Sequence, residues 1–320
     1  MIGNIPMIRI FRSLEEARGI FGPSALTIGN FDGVHAGHRR ILRRVCEVAL
    51  QNRWKPSVLT FDPHPTRVVA PARSPRLITT PEQRCPLMEQ AGIRQVLILP
   101  FNRHVAQLTP EQFVREVLVE ALGARAVLVG DNFRFGHKHA GNTHLLQEMG
   151  KQLGFSVEVI PAVTIRRSLV SSSEIRRLIE AGDVSRACRL LERPFALEGE
   201  VVPGHGVGSR QTVPTLNLST PAEVLPATGV YVTRTQDLDG RQWPSVTNVG
   251  YRPTFGGTEL SIETFLLAPL EGDAPQRIRV EFLRRLRDEK KFESPEQLKA
   301  QILRDVRRAQ AYFRRVPCHN

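Results

Sequence analysis

Short apolar runs alternate with amphipathic helical patterns through the first half of the chain, from Ala25 to about Ile160. Buried strands that alternate with helices are typical of βαβ units and of a parallel sheet covered on both faces. The pattern therefore predicts a doubly wound α/β domain. Its strands are expected at Leu26–Ile28, Val58–Phe61, Val96–Leu99, Val127–Val129 and Val157–Val159.

Two of the intervening helices begin with the same local signal. Thr80-Pro81-Glu82-Gln83 and Thr109-Pro110-Glu111-Gln112 each supply a capping hydroxyl, a proline at the first helical position and a glutamine that follows it. That glutamine can return a hydrogen bond to the cap residue, which completes a capping box. The second helix is expected to end at Gly123, because glycine readily adopts the left-handed conformation found after helix ends.

The pattern changes after Ser171. A helical stretch continues to about Pro194 with a break near Gly182, and short alternating segments rich in Gly and Pro follow it. Such segments predict a small antiparallel β-barrel. Ser294 then caps a terminal helix, whose expected buried face is formed by Leu298, Ile302, Val306 and Ala309. We predict two domains, over residues 1–190 and 191–320.

Composition narrows the class of protein. The 320-residue chain is long enough for two domains, and no apolar run approaches the roughly 20 residues that span a bilayer. Its four cysteines are scattered singly, as expected of free thiols in a reducing compartment. A net charge of +12 favours anionic partners, which include nucleotides and phosphorylated small molecules as well as nucleic acids. We expect a cytoplasmic protein with no membrane partner.

The most informative segment runs from Leu26 to His38, where a strand enters a glycine-rich turn and continues into an amphipathic helix. This arrangement favours phosphate binding, because glycines let backbone N–H groups and the positive end of the helix approach an anion. His35 and His38 lie three residues apart across the first helical turn. Both imidazoles can therefore face one phosphate and donate hydrogen bonds to the charge that develops on it.

The segment Gly29-Asn30-Phe31-Asp32-Gly33-Val34-His35-Ala36-Gly37-His38 resembles the nucleotidylyltransferase signature, in the form found in bacterial bifunctional riboflavin kinase/FAD synthetases. Further segments resemble that family's pattern in the expected order: Thr60–Pro65, Gly130–Gly136 and Ser171–Arg176, with Ser173 in place of the usual threonine. The resemblance implies an α/β, Rossmann-like N-terminal domain that adenylylates FMN with ATP and releases pyrophosphate. It also implies an all-β riboflavin kinase barrel with a terminal helix.

The resemblance assigns roles to individual residues of the first domain. The catalytic positions that bind and stabilise the ATP phosphates would be His35, His38, Ser172 and Arg176. The other nucleotide-binding positions would be Gly29, Asn30, Phe31, Gly33, Asn132 and Ser171. Flavin-binding positions would be Asp62, Pro63, His64 and Phe133.

A second set of segments resembles riboflavin kinases: Gly199–Asn217, Gly229–Tyr231, Asn248–Gly257, Ile262–Leu267 and Val280–Phe292. By this resemblance Glu263 is the base that accepts the proton of a riboflavin hydroxyl as it attacks the γ-phosphate of ATP. Thr215 and Asn217 offer the hard oxygens that suit Mg²⁺. The remaining implied contacts are Gly208 and Arg210 with the nucleotide, and Asn248 and Arg252 with the flavin.

This half also departs from the kinase pattern. Ser209 and Thr212 replace an arginine and a glycine of the phosphate loop, and Phe265 replaces a histidine. An adenylyltransferase with an impaired, flavin-binding barrel is therefore one alternative. A class I synthetase-like RNA-binding protein is another, but the sequence contains neither a Lys-Met-Ser-Lys-Ser loop nor an obvious RNA module.

The expected small molecules follow from the two implied reactions. We predict Mg²⁺ as cofactor, ATP as co-substrate, and riboflavin, FMN and FAD as substrates or products. No nucleic-acid partner is expected. The sequence leaves the oligomeric state open, with a monomer among the outcomes.

Overall fold

The computed structural model of the chain describes residues 7–203, 215–254 and 257–316. Contacts within the chain divide it into two compact units, Met1–Ser172 and Ser173–Asn320. Among the described residues, no helix is both long and apolar enough to cross a membrane.

The first unit contains a parallel sheet with helices around it. Its strands are β1 (Arg9–Phe11), β2 (Ser24–Ile28), β3 (Lys55–Asp62), β4 (Gln95–Pro100), β5 (Ala124–Gly130), β6 (Arg134–Phe135), β7 (Gly141–Asn142), β8 (Ser156–Ile160), β9 (Thr164–Ile165) and β10 (Ser168–Leu169). Its helices are α1 (Leu14–Ala17), α2 (Ala36–Asn52), α3 (Pro65–Val69), α4 (Pro81–Gln90), α5 (Arg103–Gln107), α6 (Pro110–Gln112), which continues with π-type geometry over Phe113–Ala121, and α7 (Thr143–Leu153). Short 3₁₀ turns lie at Pro71–Arg73 and His137–His139.

The main sheet has six strands in the order β1-β4-β3-β2-β5-β8, and every neighbouring pair is parallel. Its strands are buried on both faces, because successive side chains enter two different cores. Leu26 belongs to one core with Leu97, whereas Ala25 belongs to the other with Val96. This double burial explains the unbroken apolar runs in the sequence and confirms the predicted doubly wound α/β fold.

The strand order reverses beside β2. The chain builds outward from β2 through β3 and β4 on one side, and through β5 and β8 on the other. Such a reversal leaves a crevice at the carboxyl ends of the two central strands, where ligands of open α/β sheets bind. The glycine-rich turn that follows β2 lies at this edge.

Both predicted capping boxes are present. Thr80 and Gln83 exchange hydrogen bonds at the start of α4, and Thr109 and Gln112 do so at the start of α6. The helix that begins at Pro110 ends beside Gly123, whose φ is +54°. A Cβ atom at Gly123 would lie 2.8 Å from the Cα atom of Gly22, so close backbone contact also requires glycine there.

The second unit consists of two helices, a closed barrel and a terminal helix. Its elements are α8 (Ser172–Glu180), α9 (Val184–Leu191), β11 (Phe195–Val202), β12 (Thr215–Ser219), β13 (Gly229–Asp237), β14 (Gln242–Thr254), β15 (Gly257–Leu266), β16 (Arg277–Arg287) and α10 (Pro295–Arg315). The antiparallel barrel has the strand order β11-β12-β15-β14-β13-β16. It confirms the predicted small all-β domain with a terminal helix.

A chain of hydroxyl groups crosses three strands of the barrel. Thr235 Oγ1 lies 2.8 Å from Ser245 Oγ, which lies 2.9 Å from Thr233 Oγ1. The chain continues through Thr247 to Thr264 with separations of 2.8 and 3.0 Å. All of these side chains are fully buried, and each hydroxyl has a neighbour with which to bond. These hydrogen-bonded hydroxyl groups therefore connect β13, β14 and β15, and none of the buried hydroxyls named here is left unpaired.

The terminal helix corrects one expectation. Ser294 caps α10 as predicted, but Leu298 is 43% exposed. The residues of α10 that pack in the apolar cluster on the barrel come from its second half: Ala309, Tyr312 and Phe313. Helical periodicity identifies a face of a helix, but not how far along that face the neighbouring element extends.

Candidate active sites

The glycine-rich turn between β2 and α2 has a strained backbone. Phe31 and Val34 have φ values of +50° and +39°, although neither is glycine, and Gly33 has a φ of +80°. Non-glycine residues in this region each cost roughly 1–3 kcal/mol, so the surrounding structure must hold the turn in place. Such strain is concentrated at ligand sites, which is consistent with the phosphate-binding role predicted for this turn.

The turn brings the two predicted histidines together. The rings of His35 and His38 are stacked, with centroids 3.6 Å apart and planes inclined by 15°. His35 is also the cap of α2, because its Nδ1 accepts a hydrogen bond from the backbone N–H of His38. Since Nδ1 is the acceptor, the neutral ring carries its proton on Nε2. Both imidazoles thus lie at the positive end of a long helix, which suits binding of an anionic group.

A buried carboxylate holds the turn. Asp32 is 2% exposed, and its carboxylate accepts hydrogen bonds from the backbone N–H groups of Ile78 and Thr79 and from the Thr79 hydroxyl. Thr79 Oγ1 in turn accepts a hydrogen bond from the backbone N–H of Gly33. The segment before α4 is therefore tied to the turn at both Asp32 and Gly33.

Arg84 completes this network, although no motif in the sequence indicated its role. Its guanidinium donates to the carbonyl oxygens of Thr79 and Asn30 and lies 3.9 Å from the Asp32 carboxylate. Burial lowers the pKa of this guanidinium, whereas the negative charge of Asp32 counteracts that shift. A buried arginine with these partners fixes the positions of Asn30 and Asp32 at the start of the turn.

Ser172 connects the end of this unit to the same turn. Its hydroxyl donates a 2.9 Å hydrogen bond to the backbone carbonyl of Asp32. Ser171 precedes it, and both side chains are half-buried. Arg176 lies one helical turn after Ser172, within the second compact unit, and its proposed contact with ATP stays a prediction.

The predicted flavin-binding residues, together with Asn132 of the predicted nucleotide-binding set, lie at the end of β3 and after β5. Asp62 and Pro63 are exposed at the end of β3, while His64 is half-buried and its Nε2 lies 2.9 Å from the side-chain amide of Asn30. Asn132 is exposed after β5. Phe133 stacks on Phe135, with ring centroids 5.5 Å apart, so it packs against the core as well as bordering the carboxyl edge.

Strand register brings the predicted kinase residues into one row. Glu263 on β15 is directly opposite Asn217 on β12 and Asn248 on β14. Directly opposite residues of antiparallel strands share a face, with Cβ atoms about 5 Å apart. The Glu263 carboxylate also accepts a 3.0 Å hydrogen bond from the Ser261 hydroxyl. A carboxylate flanked by two amides is therefore presented on one face of the barrel.

The residues beside this row explain one departure from the kinase pattern. Thr215 is opposite Phe265, two positions along the same face. Phe265 packs in the apolar cluster that contains Val246 and Ala309 of the terminal helix. The phenyl ring therefore has a packing role where the family pattern has a histidine.

A second carboxylate lies next to the row and was not predicted as a site residue. A Cβ atom at Gly250 would collide with the carboxylate of Glu289 and would lie 3.3 Å from the side-chain nitrogen of Asn248. Glycine within a strand often marks such a close approach. Gly250 could therefore have indicated a close approach at this strand. The sequence did not identify Glu289 as its partner, because Glu289 is distant along the chain.

Comparisons with known proteins match each half of the chain to one family. The FAD synthetase family matches residues 19–174, and the riboflavin kinase family matches residues 191–313. A bifunctional riboflavin kinase/FMN adenylyltransferase of Pseudomonas fluorescens is 36% identical over 306 residues, covering 95% of this chain and 97% of the relative. The chain belongs to the bifunctional riboflavin kinase/FMN adenylyltransferase family.

Other members of the bifunctional family support the same assignment. The protein of Escherichia coli (strain K12) is 34% identical over 288 residues, covering 90% of this chain and 92% of its own length. A solved structure described as a macrolide-efflux protein from Streptococcus pneumoniae is 26% identical and has a TM-score of 0.84. The match covers 95% of this chain and 99% of the solved chain. Both units of the present chain therefore have a close structural counterpart.

The remaining predicted site residues belong to the phosphate loop and to β14. Gly208 and Arg210 lie outside the described residues, as do the altered loop positions Ser209 and Thr212. Arg252 belongs to β14 by its backbone. Within the described ranges, no group of three or more His, Cys, Asp or Glu side chains is arranged to hold a metal ion. The predicted Mg²⁺ position instead uses the hydroxyl and amide oxygens of Thr215 and Asn217, a donor type that fits this ion.

The Asp32 network gives a testable prediction. Asp32→Asn replaces one accepting oxygen by an N–H₂ group that faces buried donors. We expect the free energy of unfolding to fall by about 2 kcal/mol, the usual size of a lost hydrogen bond to a charged group, and FAD formation to slow. Urea denaturation and an FMN adenylylation assay measure the two effects. Glu148→Gln, an exposed carboxylate of the same unit, is the control. Equal stability of the two variants would contradict the network's role.

Proposed function

We propose that this chain makes flavin cofactors in two ATP-dependent steps. The barrel unit phosphorylates riboflavin to FMN, and the sheet unit adenylylates FMN to FAD. The observation that carries the proposal is the presence of two separate constellations, His35 with His38 at the carboxyl edge of the sheet and Glu263 between two asparagines on the barrel. The two family matches, over residues 19–174 and 191–313, support one activity for each unit.

The adenylyl transfer requires position and charge rather than an enzyme nucleophile. An oxygen of the FMN phosphate attacks the α-phosphorus of ATP in line, and the bond from that phosphorus to the pyrophosphate breaks. We assign to His35 and His38 the donation of N–H groups to the oxygens on which charge develops. Their shared position at the start of α2 supports this role, because the helix end adds further positive potential. Ser172 would act beside them, with Arg176 carried over from the family pattern.

The phosphoryl transfer needs a base. A ribityl hydroxyl of riboflavin attacks the γ-phosphorus of ATP, the bond to ADP breaks, and Glu263 accepts the hydroxyl proton. The neighbouring Asn248 is suited to orient the flavin, because its amide offers both a donor and an acceptor. The substrate contacts proposed for Gly208, Arg210 and Arg252 rest on the family pattern alone.

Mg²⁺ would neutralise phosphate charge in the kinase step, and Thr215 and Asn217 are the residues that we propose to hold it. Asn217→Ala removes one hard oxygen. We expect the Mg²⁺ concentration for half-maximal FMN formation to rise about tenfold. Initial rates measured across an Mg²⁺ titration check this result. Ser219→Ala, on the same strand, is the control. An unchanged Mg²⁺ dependence would remove Asn217 from the metal site.

Several wider expectations stay proposals. The functional boundary is proposed at residues 190 and 191, between the two family matches. The partners are proposed to be ATP, riboflavin and FMN, with no nucleic acid. The cytoplasmic location and the oligomeric state, including a monomer, stay predictions of the sequence.

One assay tests the proposed function. Pure protein is incubated with riboflavin, ATP and Mg²⁺, and FMN and FAD are separated by chromatography over time. We expect FMN to appear first and FAD to follow. An adenylyltransferase alone would convert supplied FMN but leave riboflavin unchanged. If supplied FMN is not converted to FAD, the sheet unit does not have the proposed activity.

A further inference from the structure

A short hairpin of the first unit ends in two arginines. Strands β9 and β10 are antiparallel, and Ile165 is paired with Ser168. The loop between them therefore contains Arg166 and Arg167 alone. Both side chains are exposed, and within the described part of the chain neither guanidinium forms an ion pair or a side-chain hydrogen bond.

The backbone of this loop is unfavourable for arginine. Arg166 and Arg167 have φ values of +48° and +65°, so both lie in the left-handed region. Two-residue hairpin loops of this kind strongly prefer Asn-Gly, because other residues crowd the Cβ atom against the backbone. The left-handed conformation costs roughly 1–2 kcal/mol for each ordinary residue. Two strained, unpaired arginines in place of Asn-Gly require an explanation other than folding.

The hairpin stands beside the histidine turn. Its second strand leads through Val170 into Ser172, whose hydroxyl is bonded to the turn at Asp32. The carbonyl oxygen of Val170 lies 3.9 Å from the position that a Cβ atom on Gly37 would occupy. Arg167 is three residues before Val170, a distance of about 10 Å along a strand. A flexible arginine side chain at this tip can therefore approach an anion bound at the start of α2.

The topology of the sheet also places the hairpin near the histidine turn. The hairpin follows β8, which is adjacent to β5, and β5 is adjacent to β2. Carboxyl ends of parallel strands meet at one edge, where neighbouring strands are about 4.8 Å apart. The hairpin and the histidine turn thus extend from the same edge, with one strand between them.

We propose that Arg166 and Arg167 bind the β- and γ-phosphates of ATP and hold the pyrophosphate as it leaves. This inference rests on the adenylyl transfer proposed for the sheet unit and adds residues to that site. The planar, cationic guanidinium fork matches the geometry of phosphate oxygens. The pyrophosphate end gains negative charge when its bond to the α-phosphorus breaks, so a cationic pair there stabilises the leaving group.

The decisive variant is the double substitution Arg166→Asn/Arg167→Gly. It gives the loop its preferred residues and removes both charges, so the fold is retained. We expect the KM for ATP and the inhibition constant for pyrophosphate to rise about tenfold each in FAD formation, as for loss of charge-assisted phosphate contacts. Calorimetric titration with inorganic pyrophosphate should show the same loss of affinity. The urea midpoint should rise, because the strain is relieved.

Controls separate this proposal from simpler explanations. Arg307→Gln/Arg308→Gln removes the same charge from exposed positions of α10 and should leave these constants unchanged. A rise in the KM for FMN, with ATP and pyrophosphate unaffected, would assign the arginines to the FMN phosphate and overturn the proposal. A higher urea midpoint with all constants unchanged would overturn it as well. If the unsubstituted protein forms no FAD, the proposed adenylyl transfer itself fails, a result distinct from failure of the hairpin.

Discussion

His38→Ala is expected to stop FAD formation while FMN continues to accumulate from riboflavin. The His38 ring contacts two other rings: its centroid lies 3.6 Å from that of His35 and 5.0 Å from that of Phe31. These two ring contacts restrict the imidazole before substrate binds, which would preorganise its N–H for the phosphate contact that we propose. Removing one preorganised donor of this kind slows a reaction by about a hundred to a thousand fold.

The measurement for His38→Ala uses two assays on one preparation. The kcat for conversion of FMN to FAD should fall by about a hundred to a thousand fold, and the rate of riboflavin phosphorylation should stay unchanged. His144→Ala, an exposed histidine of α7 in the same unit, is the matched control and should retain both activities. Loss of both activities in His38→Ala at an unchanged urea midpoint would contradict separate active sites.

The sheet, its helix caps and the glycine-rich turn were predictable because each depends on neighbouring residues. Apolar runs such as Val96–Leu99 identify buried strands directly, and the Thr80 capping box is complete within four residues. The stacked histidines follow from helical spacing in the same way. For these features, local sequence and final structure agree.

The supporting residues could not be predicted because their partners are remote. Arg84 reaches Asn30 across 54 positions, and no periodic pattern marks that contact. Glu289 approaches Gly250 only once the barrel has closed. The predicted burial of Leu298 was wrong, because a helical face does not specify where its neighbour lies.

The register of the barrel strands also could not be predicted from the sequence. The strongest prediction for the kinase depends on this register. The predicted kinase residues come from three separate segments of the chain: Thr215 with Asn217, Asn248, and Glu263. The motifs in these segments did not specify which side chains would be opposite one another. The observed pairing places Glu263 between two amides. An amide can orient a substrate, but it cannot accept a proton at neutral pH. Glu263 is therefore the residue of this row that is able to act as a base.

Glu263→Gln is expected to block FMN formation from riboflavin and to leave supplied FMN convertible to FAD. The substitution keeps the shape of the side chain and an oxygen for the Ser261 hydroxyl, but it removes the proton acceptor. General bases contribute a factor of about a hundred to ten thousand, so kcat for riboflavin phosphorylation should fall within that range. Glu200→Gln, an exposed carboxylate on β11 of the same barrel, should retain the full rate. Unchanged kinase activity in Glu263→Gln would exclude Glu263 as the base and leave Glu289 as the neighbouring carboxylate to test.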